Sequence, residues 1–552
     1  MCQKQKILPY LFFIILFGSL IIIPVGQSCK DIIITPDATA GEYSLLLKVR
    51  DPSRPGLQVL CRVPQGTQYT YRYPWTGKAW DFLVTHTYIG VATKGDTLPN
   101  IVKAGMVLTD AGLAFGDADT LSKWINPTKN AWDDFDWIRY ACQTADNEDE
   151  AVSLLTTEAV DQLHATGVSE NLFVVGPQKA MVIEADAIHH TTTEVTDVLV
   201  MSNYAKNLWQ TQQIRSLPLA KSFDAQKETM VRQGSVVHLG SVCGIKILTI
   251  TSSTITAQVF PVFVFKNSEQ KKEVMISLGN RATVGPFSVT LSEVNGNIAR
   301  ISICMVDYAW EQALRNQIQP QIGNITIQDM IGWSRLHTDD LDGLRPMCED
   351  QNTYEAVMIF KIPNEHATLL SSGWFAANHA CSSIYVPVHI CDADFYDPYE
   401  TGDAAALSLA LLQRYGHGNI TFLCQNIENV FYVENEINEA LAHLMIHADV
   451  NISSFLTELD VGMQEQAFLT EQLWLSAPNL SRGSLQDIWM QNYSFTQQNI
   501  QKTISELTRN PGSDTMISLL EKISQSISDS IEKKHMMQSL FFIKSSAVHY
   551  NE

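Results

Sequence analysis

The sequence predicts an α+β protein that carries an inserted all-β segment and ends in a helical region. Short runs of Val, Ile and Leu separated by turns fill residues 29–228, together with two helical patterns. Residues 229–305 contain strand patterns, and after residue 387 helical spacing replaces them. A chain of 552 residues exceeds what one core usually holds. We therefore expect a core divided between 29–228 and 306–420, an insert over 229–305 and a helical C-terminal region over 421–552.

The first 28 residues have the pattern of a secretion signal. Two lysines precede an apolar run over residues 7–23, and Gly26 and Ser28 place small residues at positions −3 and −1 of a cleavage site. Cleavage after Ser28 would make Cys29 the first residue of the mature chain. The pattern predicts a secreted or cell-envelope-associated protein.

Processing at this point would place a thiol and a free α-amine together on Cys29. An α-amine titrates near pH ~8 and can take a proton from the adjacent thiol, so cleavage would itself produce an activated nucleophile. Three other interpretations remain open. Cys29 can be half of a disulfide, it can carry a lipid (although residues 26–28 are a poor lipid-attachment box), or the apolar run can stay uncut as an anchor.

Two strand patterns, over residues 32–34 and 43–49, follow Cys29. If these strands are neighbours, Arg50 and Asp51 lie near the Cys29 sulfur. Arg50 can then hold a thiolate or a substrate carboxylate, and Asp51 can orient the α-ammonium. The alternative is a plain surface ion pair at the end of a strand.

Further elements complete the first part of the core. A strand with a polar interruption at 85–87 is predicted over 82–91, a hairpin over 104–117 around a turn at 110–112, and strand, turn and strand over 171–184. Acidic starts and helical spacing predict helices over 134–143 and 148–163. A strand over 198–201 ends on the polar pair Ser202 and Asn203.

Residues 229–305 predict an inserted β-sandwich. Six strand patterns fall at 235–239, 245–251, 256–265, 273–278, 287–294 and 298–303. Asn295 and Gly296 form a strong hairpin signal between the last two. The insert contains no catalytic constellation, so it is either a module for envelope attachment or substrate gating, or a neutral insertion in an exposed loop.

The C-terminal region predicts helices over 404–414, 427–446, 454–474, 484–507 and 514–533. The apolar stretch at 536–543 is too short to cross a membrane.

Composition excludes several classes of function. The formal net charge of −21 disfavours binding to nucleic acid or to an anionic membrane surface. Nine cysteines remain after the signal, so one is left over if eight pair, and Cys29 is the natural candidate. The chain has no CxxC pair and no HExxH motif, so we expect no metal site, and the chemistry requires no cofactor.

The order of these features resembles N-terminal-nucleophile amidohydrolases, most closely the dipeptidase A family. Choloylglycine hydrolases and penicillin V acylases are relatives that share the cysteine on the first strand. The features are Cys29, Arg50-Asp51, the turn at 112–114, the pair of strands at 171–184, Ser202-Asn203, Trp333-Ser334-Arg335-Leu336-His337, and the run at 373–387. The resemblance covers residues 29–228 and 306–415.

This resemblance implies a four-layer αββα sandwich with the nucleophile at the start of a central strand. It implies that Arg50 and Asp51 flank Cys29 and that Asn203 helps to form the oxyanion hole. Asp117 falls near a second oxyanion asparagine of the acylases, and Arg335 falls near a late active-site arginine. Because an ionised Asp117 cannot donate a hydrogen bond, we expect it to accept one from a substrate ammonium instead.

We therefore predict a secreted cysteine hydrolase that cleaves amide bonds of short peptides, with Cys29, Arg50, Asp51 and Asn203 as catalytic residues. Asp117 and Arg335 are the predicted substrate-binding residues, and no metal is expected. One alternative is an acylase acting on N-acyl amides. The other is a non-enzymatic envelope-associated binding protein in which the β insert is the working part. The sequence does not determine the oligomeric state.

Overall fold

The computed structural model describes residues 29–50, 56–120, 130–203, 205–208, 226–239, 243–260, 272–285, 287–349, 354–446 and 451–476. The predicted signal at 1–28, Asp51, and the predicted helices at 484–507 and 514–533 lie outside these residues.

The strands of the core, in chain order, are β1 (Lys30–Ile34), β2 (Tyr43–Arg50), β3 (Gln58–Val63), β4 (Gln68–Arg72), β5 (Ala79–Leu83), β6 (Tyr88–Thr93), β7 (Val107–Thr109), β8 (Ala114–Asp119), β9 (Glu170–Val175), β10 (Ala180–Ala185), β11 (His190–Glu194) and β12 (Val198–Met201). The insert adds β13 (Gln226–Arg232), β14 (Val236–Leu239), β15 (Cys243–Ile250), β16 (Thr254–Phe260), β17 (Val274–Ser277), β18 (Arg281–Val284), β19 (Phe287–Asn295) and β20 (Ile298–Met305). The core resumes with β21 (Ala356–Pro363), β22 (Ser372–Ala376) and β23 (Val386–His389).

The helices are α1 (Asp134–Cys142), α2 (Glu148–Ser153), α3 (Val306–Ile318), α4 (Ile327–Ser334), α5 (Ala367–Leu370), α6 (Asp397–Thr401), α7 (Asp403–Tyr415), α8 (Thr421–Met445) and α9 (Ile452–Ser476). Helix α2 continues as a π-helix over Leu154–Gln162. Local sequence accounts for several of their starts. Asp133 and Asp136 form a capping box at α1, and Thr326 and Asp329 form one at α4.

Two antiparallel sheets form the centre of the fold. One has the order β12-β1-β2-β21-β22-β23, and the other has the order β11-β10-β9-β8-β7-β6-β3. They face each other where β8 crosses β1 and β2. A Cβ atom at Gly116 of β8 would lie 3.6 Å from Oδ1 of Asp31 and 3.6 Å from Cδ2 of Leu46. These are ordinary van der Waals distances, so β8 packs directly against β1 and β2 at this point.

Helices cover the outer face of each sheet. Leu172 and Val174 of β9 pack with Trp137 and Ile138 of α1, whereas the intervening Phe173 pairs with Gly116 on the face toward the other sheet. On the six-stranded sheet, α4 contacts β2 and β21, and α9 contacts β23. The layer order is thus helix, sheet, sheet, helix.

The insert has its own core. Its strands form two antiparallel sheets of four strands, β13-β20-β19-β18 and β14-β15-β16-β17. Alternate residues such as Ile245, Ile255, Val289 and Ile301 are fully buried in one apolar cluster. The paired first and last strands bring Gln226 opposite Cys304, so the chain enters and leaves the insert at adjacent points.

The predicted mixed fold, with antiparallel sheets and a helical C-terminal region, is confirmed. The strand predicted over 82–91 is wrong in detail. Residues 84–87 are not part of a strand, and they separate β5 from β6, which belong to different sheets. His86 lies in that break and contacts carboxylates of Asp110 and Asp146 at 2.7 and 2.8 Å. None of the helices within the described ranges is long and apolar enough to cross a membrane.

The sequence left the disulfide pattern open. In the part of the chain that the structure describes, these cysteines form no disulfide: Cys29, Cys61, Cys142, Cys304, Cys348, Cys381, Cys391 and Cys424.

Candidate active site

Cys29 is half-buried and lies immediately before β1, which is the second strand from one edge of the six-stranded sheet. Strand β1 pairs Lys30 with Val49 and Asp31 with Met201. The same antiparallel register, continued to the end of the strand, places Arg50 beside Cys29 on one side and Asn203 on the other. The backbone thus brings three of the predicted catalytic residues to one point.

A buried lysine lies at the centre of the site. Lys48 is opposite Asp31 across β1 and β2, and its Nζ is 3.6 Å from Oδ1 of that carboxylate. Strand β8 supplies Asp117 from the facing sheet, with Oδ1 3.7 Å from the same Nζ, and the Asp117 carbonyl also accepts a hydrogen bond from it. The ammonium is fully buried and also hydrogen-bonds to Cys29.

The charges of this group set its protonation. Burial alone would lower the pKa of Lys48, but Asp117, Asp31 and Cys29 outweigh it and raise that pKa, so the lysine stays an ammonium. Burial raises the pKa of the Cys29 thiol to about 12, against the attraction of Lys48. The thiol is therefore neutral near pH 7 and needs a base, and a permanently protonated lysine cannot act as one.

Carboxyl groups surround the other side of Asp117. Asp119 lies opposite Glu170 across β8 and β9, and Asp134 begins α1 nearby. Burial and the charges of Asp119 and Asp134 raise the pKa of Glu170 well above its ordinary value. Burial and the charge of Asp117 have the same effect on the pKa of Asp134. The raised pKa values favour the neutral forms of Glu170 and Asp134, so the exposed Asp119 is the carboxylate of this group that can meet a positively charged ligand.

Arg50 is buried beside the site. Its guanidinium lies over the ring of Phe135, 4.6 Å from the centroid, and Nη1 donates to the carbonyl of Val91 at 3.4 Å. Gly105 makes this arrangement possible, because a Cβ there would lie 2.6 Å from the Phe135 ring and 3.2 Å from Nη1 of Arg50. The positive charge of Arg50 also lowers the pKa of Asp117, although burial is the larger influence and raises it.

Asn203 connects the six-stranded sheet to β8. Its Nδ2 donates to the carbonyl of Asp119 at 2.6 Å. An amide nitrogen carries two hydrogens, so one N–H bond of Asn203 remains for an oxyanion. The neighbouring Ser202 is held by Glu311, which accepts from its backbone N–H at 3.0 Å.

The structure does not bring Arg335 into this group. Its guanidinium binds Glu428 of α8 through two hydrogen bonds of 2.7 and 2.6 Å, and donates to the carbonyls of Ala380 and Ser383 at 2.7 and 3.1 Å. Both partners of the ion pair are buried. These are the contacts of an internal anchor for the helical region. We therefore do not retain Arg335 as a substrate-binding residue.

Sequence reasoning missed Asp31, Lys48 and Glu170. A signal was present, since Asp31 and Lys48 are charged residues within otherwise apolar strand runs, where a buried charge requires a partner. The pattern does not say which partner, because Asp117 and Glu170 come from the other sheet.

No protein-family model matches the chain, and no curated protein matches it. Among solved structures, a mutant of the conjugated bile acid hydrolase from Clostridium perfringens matches at 10% identity and a TM-score of 0.25, over 36% of this chain and 60% of the other. A second variant of that enzyme matches at 11% identity and 0.25, over 36% and 61%. Penicillin V acylase from Agrobacterium tumefaciens matches at 12% identity and 0.22, over 32% and 52%. The matched part thus spans about three fifths or less of each of these proteins.

Proposed function

We propose that the protein is a hydrolase of amide bonds whose nucleophile is the thiol of Cys29, exposed as the N-terminal residue by removal of residues 1–28. The observation that carries the proposal is the contact of the half-buried Cys29 with the buried ion-pair group of Lys48, Asp31 and Asp117 between the two sheets. Cys29 is also the residue that follows the predicted cleavage site.

Proton transfer in this site follows from the pKa values. A thiol whose pKa is about 12 does not ionise unaided near pH 7. Lys48 stays protonated, so the α-amine of processed Cys29 is the base within reach. It takes the thiol proton as sulfur attacks the amide carbonyl, and then gives that proton to the leaving amine. Water attacks the resulting thioester, which releases the acid and restores the thiol.

The negative oxygen of the tetrahedral intermediate requires donors. We assign the remaining N–H bond of Asn203 and the positive charge of Lys48 to this role. One such donor contributes about 3 kcal/mol to the transition state in comparable enzymes. Arg50, held over Phe135, fixes the end of β2 and can hold a substrate carboxylate. Asp51 is proposed, from the resemblance alone, to orient the α-ammonium.

We propose short peptides with a free amino terminus as substrates. The support is the exposed carboxylate of Asp119 at the end of β8, which favours an ammonium over an apolar acyl chain. Asp117 is almost fully buried and already paired with Lys48, whereas Asp119 is exposed. The substrate ammonium therefore docks at Asp119, and Asp117 acts by fixing Lys48.

The remaining parts of the proposal concern location. The signal pattern supports a secreted or envelope-associated protein, and the separately packed insert supports attachment to the cell envelope. Cross-linking in intact cells that produce the protein with or without the insert tests whether the insert attaches the protein to the envelope.

The test begins with the N-terminus. Edman sequencing and intact mass of the exported protein should show Cys29 with a free amine. A start elsewhere, or a lipid on the sulfur, ends the mechanism. Cys29→Ala should abolish hydrolysis while Cys61→Ala, another buried thiol, retains it. A chain with one extra residue before Cys29 should be inactive because its amine is tied up in a peptide bond.

The substrate class is tested with one panel of free dipeptides, the same dipeptides N-acetylated, penicillin V and conjugated bile acids. Free dipeptides should be cleaved fastest, and Asp119→Asn should lower kcat/KM for them more than for blocked ones. Faster cleavage of the acylated members by the unmodified enzyme would support an acylase instead. Absence of hydrolysis throughout the panel by a correctly processed chain would favour the binding-protein alternative.

A further inference from the structure

Four potential metal ligands that are far apart in sequence meet on the helical side of the six-stranded sheet. They are His337, Cys348, Cys381 and His417, and one ligand atom from each lies within 4.8 Å of all the others. Both cysteines are fully buried, and the two histidines are half-buried. No two of them are closer than eleven positions along the chain. This is why spacing motifs gave no sign of a metal site.

The separations suit a tetrahedral ion. Zinc binds sulfur at ~2.3 Å and histidine nitrogen at ~2.0–2.1 Å, so neighbouring ligand atoms around tetrahedral zinc are about 3.3–3.8 Å apart. Sγ of Cys381 is 3.6 Å from Nδ1 of His417, which matches the sulfur–nitrogen edge of that tetrahedron. The remaining ligand atoms need to move inward by about 1 Å at most.

We infer that His337, Cys348, Cys381 and His417 bind one zinc ion in a structural site, an inference that does not rest on the proposed hydrolase function. Two thiolates and two imidazoles in tetrahedral arrangement are a donor set typical of zinc. Four protein ligands leave no open position for water or substrate, which is the mark of a structural rather than a catalytic site. This proposal departs from the expectation, based on spacing motifs, that the chain has no metal site.

A supporting shell accompanies the ligands. Nδ1 of the fully buried His379 lies 3.0 Å from Oε2 of Glu355 and 3.6 Å from Sγ of Cys348. The same carboxylate oxygen lies 3.8 Å from Sγ of Cys348. Polar groups that contact a ligating atom help to orient it. The His379 ring also lies against that of His417, with centroids 5.5 Å apart.

The ion would join three loops that the chain otherwise connects only distantly. His337 and Cys348 lie within the connection between α4 and β21. Cys381 lies between β22 and β23, and His417 lies between α7 and α8. Thr421 at the start of α8 already donates to the Cys381 carbonyl at 3.1 Å. Zinc at this point therefore fixes the helical region onto the sheet.

The site also reaches the strand that carries Cys29. Lys30 is fully buried, and its Nζ binds the carbonyl of Met347 at 3.1 Å and the carboxylate of Glu349 at 2.5 Å. These residues are the two neighbours of Cys348. A metal bond to Cys348 thus fixes the segment of Met347 and Glu349 that binds Lys30, which we call the Lys30 clamp. The Lys30 side chain points away from the face that bears Asp31 and Lys48.

The competing outcome is a disulfide between Cys348 and Cys381, which an exported chain permits. Metal analysis of the full mature protein, purified without an affinity tag that binds metals, separates the two. We expect about one zinc per chain, and both cysteines should be alkylated only after the metal is removed. A Cys348–Cys381 peptide in the unreduced digest would overturn the inference, and so would free thiols without metal.

Variants identify the ligands. Cys381→Ser and His417→Ala should each lose most of the bound zinc, whereas Cys142→Ser, a buried thiol in the core of the other sheet, should keep all of it. Replacement by cobalt should give the intense visible bands of a tetrahedral site and a thiolate charge-transfer band. Equal zinc content in His417→Ala and Cys142→Ser would refute the assignment.

The unmodified protein provides a readout that does not depend on whether variants fold. A strong chelator should lower its Tm, and added zinc should restore it. A Tm that ignores both treatments, in protein that contains no tightly held metal, would overturn the inference.

Discussion

Replacing Lys48 with methionine removes the positive charge at the centre of the candidate site while keeping most of the side-chain volume. The ammonium has two carboxylates at 3.6 and 3.7 Å, those of Asp31 and Asp117. At an effective dielectric constant of ~20, each contact is worth about 4–5 kcal/mol of attraction. Desolvation of three buried charges offsets most of that sum. Removing one partner still costs about 3–5 kcal/mol, because the others remain buried without compensation.

The loss should depend on pH in a defined direction. Burial raises the pKa values of Asp31 and Asp117 above their ordinary 3.8, and Lys48 opposes that rise. Without Lys48 both pKa values move further up. The folded variant then holds protons that its unfolded chain releases, so its stability falls as pH rises. The same pKa values are already raised in the unmodified protein, so the deficit relative to it should stay small until the pH passes those raised values and should grow above them.

Urea unfolding of the mature protein at a series of pH values measures this deficit. The matched control is Lys361→Met, a buried lysine on the opposite face of the same sheet that binds Glu436 and Glu439 at 2.6 and 2.7 Å. Both variants should lose stability, but only Lys48→Met should lose hydrolysis when measured per folded molecule. A Lys48→Met deficit under 1 kcal/mol at pH 7, or one that shrinks as pH rises, would refute the electrostatic reasoning.

Three further predictions concern other parts of the molecule. Arg335→Met leaves the Glu428 carboxylate buried without its partner and should cost about 3–5 kcal/mol in urea unfolding with KM unchanged; a raised KM at full stability would restore Arg335 as a substrate contact. Burial lowers the pKa of His389, but the charge of Asp460 outweighs burial and raises that pKa well above 6.5. This ion pair therefore contributes stability that is complete below pH ~6.5 and is lost as the pH rises further. Asp460→Asn should flatten the stability profile above that pH, and equal slopes would argue against the pair. Deleting residues 227–303 and joining the ends through two glycines should leave a core that unfolds cooperatively in calorimetry, because the two joined residues are cross-strand partners; loss of cooperativity would show that the insert belongs to the core.

Local patterns gave the strands around Cys29 because the information lies within a few residues. The run at 32–34 is β-branched, and residues 43–49 are mostly apolar, so both segments form buried strands. The helices at 134–142 and 403–415 were also predicted, since acidic starts and periodicity are local as well. The break at residues 84–87 was missed because His86 is held by Asp110 and Asp146, which are distant along the chain.

The composition of the site was less predictable than the position of Cys29. Arg50 was predicted near Cys29 from the two adjacent strands, whereas Asn203 was predicted from the family resemblance, and the register of β1 carries both to the same edge as Cys29. The partners of Lys48 were not predicted, because the sequence of a strand does not show which residues of the facing sheet it contacts. Arg335 was misplaced for the same reason: its sequence context does not reveal that Glu428 faces it across nearly a hundred residues.

The pleat of β1 and β2 explains how one pair of strands serves two sites. Successive side chains on a strand point to opposite faces. Asp31 and its cross-strand partner Lys48 point to the facing sheet and meet Asp117, while Lys30 points to the helical side and binds the segment around Cys348. The proposed reaction site thus lies between the sheets, and the contacts of Lys30 with Met347 and Glu349 lie on the outer face. The contacts of Lys30 limit the motion of the first residues of β1. The proposed nucleophile Cys29 is at this end of the strand, and its thiol and α-amine need a fixed orientation. Loss of the proposed zinc should therefore reduce kcat of the hydrolase even though no ligand of the ion contacts the substrate.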